Sequence, residues 1–81
     1  MTMKINSIHD SEAAAEAAFR FNCWYIRDFC ARNGGIKPAS VGLGYSETYI
    51  FNTLKRGNFS AVRRLANAIY ARQKGDAIYN N

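Results

Sequence analysis

The residue types that most often bind zinc or act as nucleophiles are scarce in this chain. One histidine, His9, and two cysteines, Cys23 and Cys30, cannot supply a four-ligand zinc site. On one helix the cysteines would be roughly 10.5 Å apart along the axis, whereas a disulfide needs Cα atoms within about 7 Å. We therefore expect free thiols in a reducing, cytoplasmic compartment, with no metal and no cofactor.

Residues for catalysis are equally hard to find. The sequence has no glycine-rich phosphate loop after a strand pattern, no Ser/His/Asp set and no carboxylate pair with an evident pocket. His9 lies near the N-terminus, where a solvated side chain is expected. We expect no enzymatic activity and no small-molecule substrate. The longest apolar run, 23–26, is far shorter than the roughly 20 residues of a membrane span, so no membrane partner is expected.

The net charge of +5 is distributed unevenly along the chain. Acidic and basic residues balance up to Asn33, whereas only Glu47 and Asp76 oppose the basic residues that follow. This asymmetry favours a polyanionic partner, although a solvated basic surface is the alternative. The basic residues after Asn33 are Lys37, Lys55, Arg56, Arg63, Arg64, Arg72 and Lys74.

Length and apolar periodicity predict a single all-α domain, 1–81, with a flexible arm at 1–8 and a tail at 75–81. A long N-terminal helix is expected over 12–32, either continuous or broken near 21–22, and ended by Gly34–Gly35. Its candidate caps are Ser7, Asp10 and Ser11. Its apolar stripe comprises Phe19, Cys23, Ile26 and Cys30, with Ala15 and Phe29.

The segment after Gly35 predicts two short helices separated by a tight turn. Pro38 fits the first position of one helix, which runs to about Leu43. A break at Gly44 follows, and Ser46 can cap a second helix with Glu47 in its first turn. That helix would run to about Arg56 and end at Gly57. Ser60 can cap a last helix to about Lys74, with the apolar stripe Val62, Leu65, Ala66 and Ile69, extended by Gln73.

Residues 39–50 resemble the Cro/repressor-type (XRE-like) helix-turn-helix family, as found in small phage-type regulators. Ser40 is the small residue within the first helix, Gly44 occupies the turn, and Ile50 anchors the second helix. Residues 65–69 resemble the "LA-x-A-L" closing helix of that family. The family usually has alanine where Ser40 stands and an apolar residue where Thr53 stands, with Leu54 one place later. The resemblance implies a compact helix-turn-helix bundle of four to five helices and a double-stranded DNA partner.

By this alignment the second helix, about 46–56, is the recognition helix. Asn52 can pair with adenine, Thr48 can contact a base edge or a thymine methyl, and Glu47 can accept from cytosine. Gly44 is the structural turn. The expected base-reading residues are Ser46, Glu47, Thr48, Phe51 and Asn52, and the expected phosphate-binding residues are Lys37, Lys55, Arg56, Arg63 and Arg64. The alternatives are that Phe51 belongs to the core, and that Glu47 or Lys55–Arg56 merely complement the helix dipole.

Three aromatic residues of the long helix, Phe21, Trp24 and Tyr25, lie off its main stripe. They either close over the other helices as core or form a homodimer interface, which would suit an inverted-repeat operator. We therefore expect a dimeric, DNA-binding transcription regulator of the repressor kind. The alternatives are a small phage-type protein that inhibits a host protein by direct contact, and an RNA-binding helical module.

Overall fold

The structure is a computed structural model that describes the backbone of residues 2–80 and the side chains of residues 12–75. Within that part of the chain there are four helices and no strand. The predicted all-α bundle with a long N-terminal helix is therefore confirmed. The helices are α1 (Thr2–Arg32), α2 (Ile36–Gly42), α3 (Tyr49–Arg56) and α4 (Phe59–Asn80).

Both long helices extend further than the sequence predicted. The start near residue 12 is wrong because α1 already begins at Thr2, which puts Ser7, Asp10 and Ser11 inside the helix instead of at its cap. The helix is continuous through 21–22. At the other end α4 passes Lys74 and continues to Asn80, since the lone Gly75 lowers helix propensity by only about 1 kcal/mol. The side chains of the predicted arm, of His9 and of residues 76–81 lie outside the described residues.

The core is a cluster in which all four helices take part, and it follows the predicted stripes. Cys23 and Phe19 pack against its edge, whereas Ala15 is exposed. Full burial of one large aliphatic side chain stabilises a fold by about 1.5–3 kcal/mol, so this cluster is the main source of stability. Its members are Ile26, Phe29, Cys30, Ala39, Ile50, Val62, Leu65, Ala66 and Ile69.

The end of α1 directs the chain into α2. Gly34 and Gly35 have φ values of 88° and 118°, and the Gly35 N–H donates to the Cys30 carbonyl at 2.8 Å. This is the left-handed helix ending that the two glycines predicted. Pro38 is the third residue of α2, not the first as predicted, because the helix already begins at Ile36. Its missing N–H costs nothing there, since no carbonyl of α2 could accept from it.

The turn between α2 and α3 is built around Gly44, as predicted. Its φ is 90°, its N–H donates to the Val41 carbonyl at 2.9 Å, and the Tyr45 N–H donates to the Ser40 carbonyl at 3.1 Å. This pair of hydrogen bonds is the Schellman pattern of helix endings. A Cβ on Gly44 would meet no atom within 4 Å, so the backbone conformation alone calls for glycine.

The predicted N-caps of α3 and α4 are wrong. Ser46 lies in a turn, where its carbonyl accepts from the Tyr49 N–H at 3.1 Å, and Thr48 occupies the N-cap position without a side-chain hydrogen bond. Glu47 therefore precedes α3 instead of lying in its first turn. At α4 the Asn58 Oδ1 accepts from the Ala61 N–H at 3.0 Å. Ser60 is already helical, because α4 starts one residue before it.

Among the described side chains, two hydrogen bonds join α1 and the end of α2 to α4. The Tyr25 hydroxyl donates to Gln73 Oε1 at 2.5 Å, joining α1 to α4. Arg72 Nη1 donates to the Gly42 carbonyl at 2.7 Å, joining α4 to the end of α2. Together with the core they hold the α2–turn–α3 unit against a support formed by α1 and α4.

Candidate nucleic-acid interface

Helix α3 has a buried face anchored in the core and an outward face. Ile50 is completely buried, as its predicted anchoring role requires, and Leu54 packs against the core edge. Thr53 is 8% exposed and occupies the position where an apolar residue was expected. Its hydroxyl donates to the Tyr49 carbonyl at 2.8 Å, so the buried oxygen is satisfied within the helix. Threonine is therefore accommodated without a shift in the predicted register.

The outward side of α3 and of the turn before it presents the side chains predicted to contact bases. All of them are exposed. Phe51 is 51% exposed, so the alternative that it belongs to the core is wrong. These residues are Ser46, Glu47, Thr48, Phe51 and Asn52, and Lys55 lies exposed one turn after Phe51.

A groove of about 400 Å³ separates α3 from the start of α4. Its lining includes Asn52 and the arginines Arg56 and Arg64, one arginine from each helix. Ser46 lies at the same groove, before α3 begins. We call this surface the α3–α4 groove. One amide side chain and two arginines therefore line the same surface.

A second concavity, of about 330 Å³, lies between the start of α2 and the other side of α3. Ile36, Lys37, Glu47, Thr48 and Phe51 line it through carbon atoms. We call it the apolar pocket. It brings Lys37 close to the front of α3, so basic residues border α3 on two sides.

The basic residues around α3 form no ion pair with the carboxylates of the described side chains. The ion pairs between described side chains lie within α1, where Arg20 bonds Glu16 at 2.7 Å and Arg32 bonds Asp28 at 2.9 Å. Lys55 Nζ lies 5.9 Å from the centre of the Phe51 ring, which is a cation–π distance. Lys37, Lys55, Arg56 and Arg64 pair with none of the carboxylates in the described part of the chain.

Comparison of the chain with protein-family models, curated proteins and solved structures gave no match.

Arg63 is separated from the other predicted phosphate-binding residues. It lines a groove of about 210 Å³ between α1 and α4, together with Phe19, Asn22 and Phe59. The Phe19 and Phe59 rings stack there with centroids 4.2 Å apart. Successive residues of a helix point about 100° apart, which is why Arg64 faces α3 while Arg63 faces α1. The sequence predicted both as phosphate-binding residues and did not distinguish the two directions.

Phe21 and Trp24 form an exposed aromatic patch on α1. They are 59% and 58% exposed, and their ring centroids are 5.9 Å apart. The alternative that these two belong to the core is wrong. Tyr25 is half-buried, because its hydroxyl reaches Gln73 of α4. The aromatic patch is therefore Phe21 and Trp24, with Tyr25 supporting it from one side.

Both cysteines are free thiols, as predicted, and Cys30 lies in the core. Burial raises the pKa of the Cys30 thiol, so it remains protonated near neutral pH. No group of three or more His, Cys, Asp or Glu side chains capable of holding a metal occurs among the described residues. Within the same part of the chain, we found no helix with an apolar stretch sufficient to cross a membrane.

Proposed function

We propose that this chain is a cytoplasmic, non-enzymatic protein that binds double-stranded DNA sequence-specifically and represses transcription, with α3 as its recognition helix. The observation that supports this most is the outward face of α3, where hydrogen-bonding side chains lie between basic residues that form no ion pair with any described carboxylate. Helix α3 has eight residues, so its outward face is about 12 Å long, and the DNA major groove is wide enough to admit an α-helix.

Base recognition is assigned to the centre of this face. The Asn52 amide can donate to and accept from an adenine edge at the same time, and the Thr48 hydroxyl can bond a neighbouring base. Glu47 can accept from the amino group of cytosine. Ser46, at the α3–α4 groove, can reach a base or an adjacent phosphate.

Phosphate binding is assigned to the basic residues on either side. Lys37 would contact the backbone on the α2 side, and Arg56 and Arg64 on the α4 side, with Lys55 at the end of α3. Such contacts position a protein on the duplex and carry no sequence information. Arg63 faces the α1–α4 groove, so its phosphate contact would be the weakest.

A homodimer through the aromatic patch completes the proposal. Exposed neighbouring aromatic rings are typical of an interface. Arg20 and Glu16 on the same helix form an ion pair, so these two charges compensate each other. Two copies related by a twofold axis would present two recognition helices to an inverted repeat.

The second candidate is a protein that inhibits a host protein by direct contact, and the exposure of Phe21, Trp24 and Phe51 favours it.

Selection of random duplex DNA on the purified full chain distinguishes the DNA-binding function from this second candidate. We expect an enriched site with inverted-repeat symmetry, and loss of that symmetry with Trp24→Ser. Absence of enrichment would contradict the DNA-binding proposal, and preference for an RNA competitor would favour an RNA-binding module.

A further inference from the structure

The apolar pocket beside α3 lies outside the buried core, and only Ile36 of its lining packs against the core edge. Phe51 forms one wall and remains half-exposed, while the core below is already filled by the neighbouring Ile50. Ile36, Thr48 and carbon atoms of Lys37 and Glu47 complete the lining. A large apolar ring in the middle of a polar recognition face costs hydrophobic free energy until something covers it.

The charges around the pocket restrict what could cover it. Lys37 is part of the lining, and the Lys55 ammonium lies 5.9 Å from the Phe51 ring centre. Glu47 is the one carboxylate among the described residues that line the pocket. An apolar group carried on an anionic molecule fits this lining and the excess of positive charge around it. In the DNA major groove the 5-methyl group of thymine is the apolar group that base edges present.

We propose that the apolar pocket receives the 5-methyl group of a thymine, which makes Phe51 a specificity-determining residue. This inference rests on the proposed DNA-binding function and extends it to the base that is read. Asn52 faces the α3–α4 groove on the other side of the helix. The two residues would thus read different base pairs, Asn52 by hydrogen bonds and Phe51 by apolar contact.

The experiment replaces the thymines of the selected duplex by deoxyuridine, one at a time. This exchange removes the methyl group and keeps every hydrogen-bonding group of the base. We expect the Kd to rise about fourfold at one position of each half-site, the equivalent of losing one buried methyl-sized group. At the other positions the Kd should change little. Fluorescence anisotropy with the full chain measures the Kd for the deoxyuridine duplex and the Kd for the thymine duplex. The ratio of the first to the second reports the effect of the methyl group.

Variants of Phe51 then test whether this residue reads the methyl group. Phe51→Ala should bring the ratio to about one at that position, and Phe51→Leu should keep part of the preference. Because the side chain is half-exposed, neither change should unfold the protein, which a thermal melt verifies. Tyr70→Ala is the matched control: Tyr70 on α4 is 59% exposed and is not part of the pocket, so the parental ratio should persist.

The possible results distinguish a failure of the proposed function from a failure of this inference alone. If no duplex is bound at all, the proposed function fails and this inference fails with it, and a protein occupant becomes the better explanation of the pocket. If the duplex is bound but every thymine tolerates the exchange, only this inference is overturned. A methyl preference that survives in Phe51→Ala would overturn it as well.

Discussion

The Ser40 hydroxyl of α2 donates a hydrogen bond of 2.5 Å to the backbone carbonyl of Ser46, across the turn that leads to α3. Ser40 is completely buried, and its own carbonyl accepts from the Tyr45 N–H. One residue therefore fixes the end of α2 and the approach to α3. This contact explains how serine is accommodated at a position where the Cro/repressor-type helix-turn-helix family, which residues 39–50 resemble, usually has alanine.

Replacing Ser40 by alanine should lower the free energy of unfolding by about 0.5–1.5 kcal/mol, the net contribution of one hydrogen bond. Ser60→Ala is the control, since Ser60 is exposed within α4 and the same helix-propensity gain applies to it. Urea denaturation of the two variants measures the difference. Equal stabilities would mean that the Ser40 hydroxyl does not hold the turn.

A second prediction concerns Gly44, whose φ is 90°. Alanine is strained in this conformation, so Gly44→Ala should destabilise the fold by about 1–3 kcal/mol. The matched control is Gly42→Ala. Gly42 is helical and a Cβ there would also meet no atom within 4 Å, so that change should stabilise slightly. Thermal melts that rank the variants in the opposite order would contradict the turn geometry.

The succession of helices and the core could be predicted from the sequence because both depend on periodicity and on glycine. The stripe from Ile26 to Cys30 and the one from Val62 to Ile69 are buried as predicted. Gly44 and Gly57 adopt the positive φ values that their positions at helix ends suggested. Such signals depend only on residues close together in the sequence, and no other residue nearby suits the same position.

The caps and the grouping of basic residues could not be predicted in the same way. Asn58 and Ser60 both suit an N-cap, and the choice depends on where the backbone turns, which packing decides. Likewise Arg63 and Arg64 are equivalent in sequence, and only the position of α4 relative to α1 and α3 separates them. The hydrogen bond from Arg72 to the Gly42 carbonyl joins residues distant in sequence, so no local pattern indicated it.

Asn52 and Lys55 test the orientation of α3 on DNA. Asn52→Ala should cost about 1–3 kcal/mol on the selected site and far less on random duplex, with the salt slope unchanged. Lys55→Ala should weaken both kinds of DNA and reduce the slope by about one. Both side chains are exposed, so stability should change by less than about 0.5 kcal/mol. Normal binding by both variants would mean that α3 does not lie in the groove.

Arg64 and Arg63 provide a comparison between adjacent arginines. Arg64 lies at the α3–α4 groove and Arg63 at the groove between α1 and α4. Arg64→Ala should therefore weaken binding to all duplexes and lower the salt slope by about one unit, while Arg63→Ala should have a smaller effect. Titrations of the two variants at several salt concentrations make the comparison. A larger effect from Arg63 would place the DNA on a different face of α4.

The salt dependence of binding to a selected duplex tests the central claim most directly. Four basic side chains without carboxylate partners in the described part of the chain surround α3: Lys37, Lys55, Arg56 and Arg64. If each neutralises one phosphate, a plot of log K against log salt should have a slope of about −4 per subunit. A flat plot, or no binding at low salt, would contradict the proposal that this surface binds DNA.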